Sequence, residues 1–311
     1  MDKYIKIDGG FGRCIAATGA IKEYAKNSKD KVFVVTSFPQ VFSGIEEIAR
    51  VYPQDTPYLY EEHISKGEFF EPEPYNNVSY YAEEKHLATV FNKLLNGKDE
   101  YIEPLLVMTD NELESAKQFV EEVHKTGKKI VLYQPWGSSG GKPINNAPEP
   151  GIAQDESYRS FGTEFAKKLC SRLQTENYEV YVVKTGDQLG FKDAKTFQNM
   201  DVRKICALIP YVDAIICCDS FLHHASAALG SPVPTIVLWA GTNEKNLSYP
   251  NQINIKSWKK TENEPNRIPH DHDYYVHKNK GSNEFKLETI DTILEALKGK
   301  TLNTGLDNKD K

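Results

Sequence analysis

Residues 214–232 read Ala-Ile-Ile-Cys-Cys-Asp-Ser-Phe-Leu-His-His-Ala-Ser-Ala-Ala-Leu-Gly-Ser-Pro. An unbroken apolar run, Ala214–Cys218, stops at the polar pair Asp219-Ser220, and a segment rich in Ala and Ser then runs to Gly230 and Pro232. Apolar residues without alternation mark a strand buried on both faces of a parallel sheet. Asp219 or Ser220 can cap a helix over Ser220–Leu229, and its small residues let that helix pack closely. His224 falls in the first turn of the helix, near the carboxyl edge of the sheet, where such folds bind ligands.

The same alternation extends outward in both directions. Upstream, Ile130–Gln134 and Glu179–Lys184 read as strands, Tyr158–Thr175 and Val202–Ile209 as helices, and Pro135–Asp155 as a loop rich in Gly, Ser and Pro. Downstream, Thr235–Trp239 is a strand and Phe285–Lys298 a closing helix. A separate series opens the chain: a strand Tyr4–Ile7, a glycine turn Gly9-Gly10-Phe11-Gly12, a helix Cys14–Lys26 and a strand Lys31–Thr36. Tyr52–Tyr81 is aromatic, acidic and loop-rich, and Asp110–Lys125 has helical spacing with Leu113, Ala116, Phe119, Val120 and Val123 on one face. Strands alternating with helices argue for βαβ units and an α/β fold of two Rossmann-like, doubly wound domains whose strand ends face a shared cleft. The expected boundaries are 1–126, 127–284, a closing helix at 285–298 and a flexible tail at 299–311.

Composition narrows the function. The 311 residues hold 38 Lys+Arg against 44 Asp+Glu, a net charge of −6, which argues against holding nucleic acid by bulk charge and leaves a local basic groove open. No stretch approaches the roughly 18 apolar residues of a spanning helix, and the N-terminus lacks a signal-peptide block. Cys14, Cys170, Cys206, Cys217 and Cys218 are odd in number and without metal-type spacing, which reads as core thiols in a reducing, cytoplasmic compartment. No internal repeat is evident.

Three segments can carry chemistry. Gly9–Gly12 can bring backbone N–H groups to an anion at a helix N-terminus, or can be a tight βα turn. It matches neither the dinucleotide fingerprint, which makes a dehydrogenase a poor reading, nor a Walker loop. Gln134-Pro135-Trp136-Gly137-Ser138-Ser139-Gly140-Gly141-Lys142 can offer backbone and hydroxyl donors and one cation to a phosphorylated ligand, or can be a surface loop. The third is Asp219–Pro232, followed by Trp239-Ala240-Gly241-Thr242-Asn243.

Asp219-Ser220 through His224-Ala225-Ser226-Ala227-Ala228-Leu229-Gly230-Ser231-Pro232 resembles the D-[ST]-G-x-x-H-x-A-A-A-L-G-x-P signature of glycosyltransferase family nine, the ADP-heptose:lipopolysaccharide heptosyltransferases and their relatives. The flanking order agrees over Ile130–Pro250: Pro135–Gly141, Arg159-Ser160-Phe161, Gly186-Asp187, the signature, then Ala240-Gly241-Thr242. The opening glycine turn fits more loosely. The resemblance implies a GT-B fold with acceptor in the first domain and nucleotide-sugar donor in the second. It implies inversion at the anomeric carbon and no bound metal or other cofactor. On this chain the donor site would be formed by Gly10, Gly12, Trp136, Ser138, Ser139, Asp219, Ser220, Phe221, His224, Gly241 and Thr242. Lys142, Arg159 and Lys184 would be phosphate partners.

Two positions depart from the family. Its expected general base, the aspartate after the opening glycines, is Arg13 here, and the glycine after Asp-Ser is Phe221. Asp8, at the end of the first strand, is the replacement candidate for the base, or else a cap for the glycine turn. Arg13 can hold a phosphate of the donor or of a nucleic-acid acceptor. The acceptor is a saccharide of the lipopolysaccharide kind or, since the chain is compact and rich in Lys, Asn and Tyr, a hydroxymethylated DNA base as in phage enzymes. A catalytically silent nucleotide-sugar binder is the alternative reading. The sequence leaves oligomeric state open.

Other polar clusters offer less. His270-Asp271-His272 with His277 holds zinc-type ligands without a regular frame, or is a solvated loop or acceptor-binding insert. Lys256-Ser257-Trp258-Lys259-Lys260 reads as a single-strand contact or an exposed edge. Tyr52–Tyr81 reads as an acceptor platform or a locally packed loop.

Overall fold

The computed structural model describes residues 1–138, 140–143, 153–154, 159–198, 200–256 and 285–299. The His270–His277 cluster, residues 257–260, Ser139 and the tail beyond 299 lie outside them.

The first part of the chain forms β1 (Lys3–Lys6), α1 (Phe11–Asn27), β2 (Val32–Thr36), β3 (Arg50–Pro53), α2 (Leu59–Glu62), β4 (Glu68–Phe70), α3 (Val78–Tyr81), α4 (Leu87–Asn96) and α5 (Asp110–His124). Its four strands make a parallel sheet in the order β3-β2-β1-β4. Gly127, at φ +79, turns the chain into β5 (Lys129–Gln134). A short antiparallel pair follows, β6 (Lys142–Pro143) and β7 (Ala153–Gln154), then α6 (Thr163–Thr175), β8 (Tyr178–Lys184), β9 (Lys195–Gln198) and α7 (Val202–Leu208). The remaining elements are β10 (Ala214–Cys217), α8 (Phe221–Ala228), β11 (Thr235–Trp239), α9 (Glu244–Leu247), β12 (Gln252–Lys256) and α10 (Thr289–Leu297). The second sheet is also parallel, ordered β12-β11-β10-β5-β8-β9.

Each sheet reverses its strand order once. In the first the chain winds from β1 through β2 to β3 and returns to place β4 on the other side of β1. In the second β5 has β8 on one side and β10 on the other. Crevices open beyond the carboxyl ends at such reversals, here β1/β4 and β5/β10.

The apolar runs are buried as their lack of alternation requires. Along β5, Ile130 and Leu132 join one core cluster while Val131 and Tyr133 join the other, so both faces of the strand are covered. The larger cluster is continuous across both sheets, running from Ile5, Ile15 and Val34 to Leu132, Ile215 and Trp239. The smaller one packs α6 and α10 on the opposite face of the second sheet through Phe165, Leu169, Ile290, Ile293 and Leu294. All five cysteines are buried free thiols, as the apolar context of Cys217 and Cys218 predicts. No helix among the described residues is long and apolar enough to cross a membrane.

Several elements differ from the sequence reading. Helix α1 begins at Phe11, not Cys14, which puts Gly12 and Arg13 in its first turn. Helix α6 begins at Thr163 rather than Tyr158, because Ser160 and Phe161 are used as a tether. The Gly137 amide donates to Ser160 Oγ at 2.8 Å, and the Phe161 amide to the Pro135 carbonyl at 2.9 Å. Helix α10 starts at Thr289 rather than Phe285, whose side chain is instead buried against Phe161 and Phe165. Ser220 occupies the N-cap of α8, but neither it nor Asp219 makes a side-chain cap bond. Helix α4 and strands β4, β9 and β12 are additions to the sequence reading.

Arg203, buried on α7, ties the two sheets together. Its Nε and Nη2 donate to the two carboxylate oxygens of Glu112 at 2.6 and 2.7 Å. Its Nη1 donates to the Gln40 carbonyl at 2.9 Å and Nη2 also to the Val107 carbonyl at 2.8 Å. Glu112 is itself fixed by a capping box with Thr109 at the start of α5. The hydrogen bond from Arg203 is the foremost cause holding the Glu112 carboxyl down to about 2, from 4.5. A carboxyl depressed in the folded state stabilises fully above its unfolded pKa and loses that contribution as pH falls toward the folded value. Glu112→Gln is therefore expected to cost about 2–4 kcal/mol at neutral pH by stranding a buried guanidinium. It should also flatten the loss of stability that the parent chain shows between pH 4.5 and about 2, as read by urea melts across pH.

Candidate functional site

A cavity of about 950 Å³ opens where the carboxyl ends of both sheets converge. Both strand-order reversals contribute to its wall: Gly9–Arg13 and Glu73 from the β1/β4 side, Gln134, Trp136–Ser138 and Asp219–Phe221 from the β5/β10 side. Thr185 and Gln188 after β8 and Gly241–Asn243 after β11 complete the second-sheet part, and Tyr75 and Tyr80 add aromatic surface from the first. The size suits a substantial small-molecule ligand.

The two halves touch at this cavity through α1 and α8. A Cβ on Gly12 would lie 2.4 Å from Cδ2 of His224, so glycine is what permits the approach. Beside it Phe11 packs edge-on against both Phe38 and Phe221, each at 5.6 Å between ring centroids. Neither the α1 N-terminus at Gly10 nor the α8 N-terminus at Ser220 has a side-chain cap. Their first-turn amides leave positive potential at the cavity wall, which favours an anion.

Beneath α8 lies a buried polar cluster. His223 Nε2 is 3.2 Å from Asp219 Oδ1, and His224 Nδ1 is 2.8 Å from the Tyr249 hydroxyl. Burial alone would raise the Asp219 carboxyl, but the His223 hydrogen bond and the charge of Arg159 outweigh it and hold the group below its ordinary range. Burial, reinforced by His223, pushes His224 well below the usual imidazole value, so its ring is neutral near pH 7. Asp219, His223 and His224 each offer one ligand atom, all within 4.8 Å of one another, and could hold a metal ion. Asp219 and Tyr249 each engage one ring nitrogen, while Nδ1 of His223 is buried with no hydrogen-bond partner among the described residues.

Polar atoms in the wall remain open. Gln134 Oε1, Thr242 Oγ1 and Asn243 Nδ2 are buried with no hydrogen-bond partner among the described residues. Buried groups of this kind are paired in most folds, so a cluster of them at one cavity points to a ligand.

Most expected donor-site residues meet here: Gly10, Gly12, Trp136, Ser138, Arg159, Lys184, Asp219, Ser220, Phe221, His224, Gly241 and Thr242 all line the cavity, as does Arg13. The contributions of some differ from expectation. Trp136 is buried against Gly141 and stacks on Phe191, with its Nε1 donating to the Leu189 carbonyl at 3.1 Å, so its ring is mainly core. Lys184 lines the wall, but its ammonium is turned into the carbonyls of Thr185, Gly186 and Gln188 and braces that loop. Arg159 places Nη2 3.5 Å from Ser138 Oγ.

Two candidate residues lie outside the lining. Asp8 does not line the cavity: its carboxylate accepts from the Ser37 hydroxyl at 2.9 Å, and Ser37 continues to Gln54, because the chain turns at Gly9 (φ +103) immediately after it. Lys142 also lies outside the lining and pairs with Asp187 at 3.0 Å across the loop edge.

Residues missed by sequence reasoning include Gln188, whose Nε2 clamps the Gly137 and Gly140 carbonyls at 2.7 and 2.9 Å, and Tyr249. Neither sits in a recognisable motif. Glu73, from the acidic aromatic stretch read as an acceptor platform, carries no signal until the fold brings it to Arg13.

No family model and no curated protein sequence matches the chain. Solved structures do. A glycosyl transferase family 9 protein from Veillonella parvula DSM 2008 superposes with a TM-score of 0.65 at 12% identity, covering 95% of this chain and 96% of that one. ADP-heptose LPS heptosyltransferase II of E. coli gives 0.63 at 11%, covering 96% and 98%. The dodecameric iron-containing heptosyltransferase TibC, solved in complex with ADP-D-β-D-heptose, gives 0.63 at 10%, covering 96% and 76%. The α/β fold of parallel sheets is thus that of structures from the family whose signature the sequence resembles.

The Gly12–His224 contact can be tested directly. Gly12→Ala must displace a buried imidazole and is expected to cost about 1–3 kcal/mol by overpacking. Gly10→Ala, where an added Cβ meets nothing within 4 Å, should stay within about 0.5 kcal/mol in the same urea titration.

Proposed function

We propose that the chain is an inverting glycosyltransferase of family nine, with a GT-B arrangement of an acceptor-binding first domain and a donor-binding second domain. The observation that carries this reading is the single cavity formed by both strand-order reversals, with Asp219, Ser220 and His224 of the signature in its wall.

In this reading the nucleoside diphosphate lies against the second sheet. The loop after β5 and the uncapped amides of α8 face its phosphates, and Arg159 supplies the nearby positive charge. Gln134, Thr242 and Asn243 give their open polar atoms to the donor. The acceptor enters over Tyr75 and Tyr80, where aromatic faces suit a sugar ring. A base removes the acceptor proton as its oxygen attacks the anomeric carbon and the nucleoside diphosphate departs from the opposite face. Fixed amides and cations stabilise the charge that develops on the leaving oxygen. The mechanism needs no metal ion. A saccharide acceptor fits the aromatic wall, and an acceptor made of modified DNA is separated from it by assay.

A thermal-shift panel of ADP, UDP, GDP, CDP and dTDP with their sugars tests the donor site. At a hundredfold excess over Kd a true donor stabilises by about 2.7 kcal/mol, on the order of 4 °C for a chain of this size. Slow release of nucleoside diphosphate in the same samples separates a transferase from a silent binder, and no shift with any member removes the reading.

A further inference from the structure

From the geometry of the first strand-order reversal we infer that Glu73 is the general base of this site and that Arg13 positions it, an assignment that rests on the glycosyl-transfer reading above. Among the described residues lining the cavity, Glu73 and Asp219 are the two carboxylates. Asp219 is buried beneath α8 and engaged by His223 at 3.2 Å. His224 is buried with Nδ1 on Tyr249, and Asp8 is turned away to Ser37. Glu73 differs from all three: its side chain is 36% exposed and reaches the cavity from the segment that follows β4.

The surroundings of Glu73 are built to hold it. Pro72 and Pro74 flank it and restrict the backbone, and Pro74 is buried. Oε1 accepts from the Tyr75 amide at 3.0 Å, which caps the short turn that follows. Oε2 accepts from Arg13 Nη2 at 3.0 Å. The guanidinium is itself fixed, 4.9 Å above the Tyr75 ring and 3.5 Å from the Pro72 carbonyl. Each carboxylate oxygen keeps further lone-pair capacity, so a hydroxyl can still be received.

Position 13 lies in the first turn of α1, where the resemblance leads one to expect an acidic side chain. In this chain the cation at that position draws a carboxylate across from the neighbouring strand end, so the cavity retains an acid group in exchanged order. During transfer Glu73 takes the proton from the acceptor O–H. The oxygen then forms its bond to the anomeric carbon, and the bond to the diphosphate oxygen breaks with its electron pair leaving on the nucleotide. The neutral Glu73 carboxyl afterwards returns its proton to solvent.

The test uses the full chain and the release of nucleoside diphosphate from ADP-heptose and from ADP-, UDP-, GDP-, CDP- and dTDP-hexoses, with water or added saccharide as acceptor. Glu73→Gln keeps the cap on Tyr75 and is expected to lower turnover by two to four powers of ten while leaving the thermal shift with nucleoside diphosphate unchanged. Glu73→Ala should regain part of its turnover with added formate, which a purely structural role would not produce. Arg13→Ala should lower kcat less than Glu73→Gln, and Arg13→Lys should recover part of that loss. Full turnover in Glu73→Gln overturns the assignment and leaves the transferase reading standing. A parent chain that neither binds nor cleaves any of these donors overturns both.

Discussion

The constraint on which the cavity depends is the seating of α1 on α8, where Gly12 meets the ring of His224 with no room for a Cβ. Each of these helices follows the inner strand of a parallel sheet, and each begins at the carboxyl edge of that sheet. Pressing their first turns together brings two strand-order reversals to opposite walls of one cavity. The continuous apolar cluster beneath the contact and the Arg203 clamp behind it hold the two sheets in that relation.

Polar groups cluster where that packing is tightest, and each solution to their burial differs. Every guanidinium nitrogen of Arg203 is paired, with one carboxylate or two backbone carbonyls, and the residue acts as a structural tie. Asp219 and the two histidines form a partly satisfied chain that ends on Tyr249. Gln134, Thr242 and Asn243 keep unpaired atoms at the cavity. Burying an unpaired polar atom costs about 1–3 kcal/mol, so several of them at one cavity are a concentration of unmet hydrogen-bonding capacity. Helix α5 carries a full capping box away from the cavity, whereas α1 and α8 leave their first amides open toward it.

The two departures from the resembled signature make physical sense together. Phe221 stands where a glycine was expected, and its ring meets Phe11, whose other side meets Phe38. The lost backbone access is replaced by an aromatic bridge between the halves. Arg13 stands where an aspartate was expected, and it is joined to Glu73 by an ion pair and to Tyr75 by a cation–π contact. Arg13 and Glu73 are 60 positions apart in the chain, and no local pattern ties them.

Local chemistry determined a good deal of this protein. Unbroken apolar runs such as Ile130–Tyr133 and Ala214–Cys218 could be satisfied only by burial on both faces, which dictated parallel sheets and therefore a carboxyl edge at Asp219, Ser220 and Gly241. Glycines, small residues and helix periodicity then placed α1 and α8 to within a few residues. What only the tertiary structure decided were the relations between distant segments. The turn at Gly9 sends Asp8 toward Ser37, the loop after β8 absorbs the charge of Lys184, and β4 delivers Glu73 to Arg13. Side-chain direction and ion pairing depend on which strand ends become neighbours, and that order is set by packing across both sheets rather than by any window of adjacent residues.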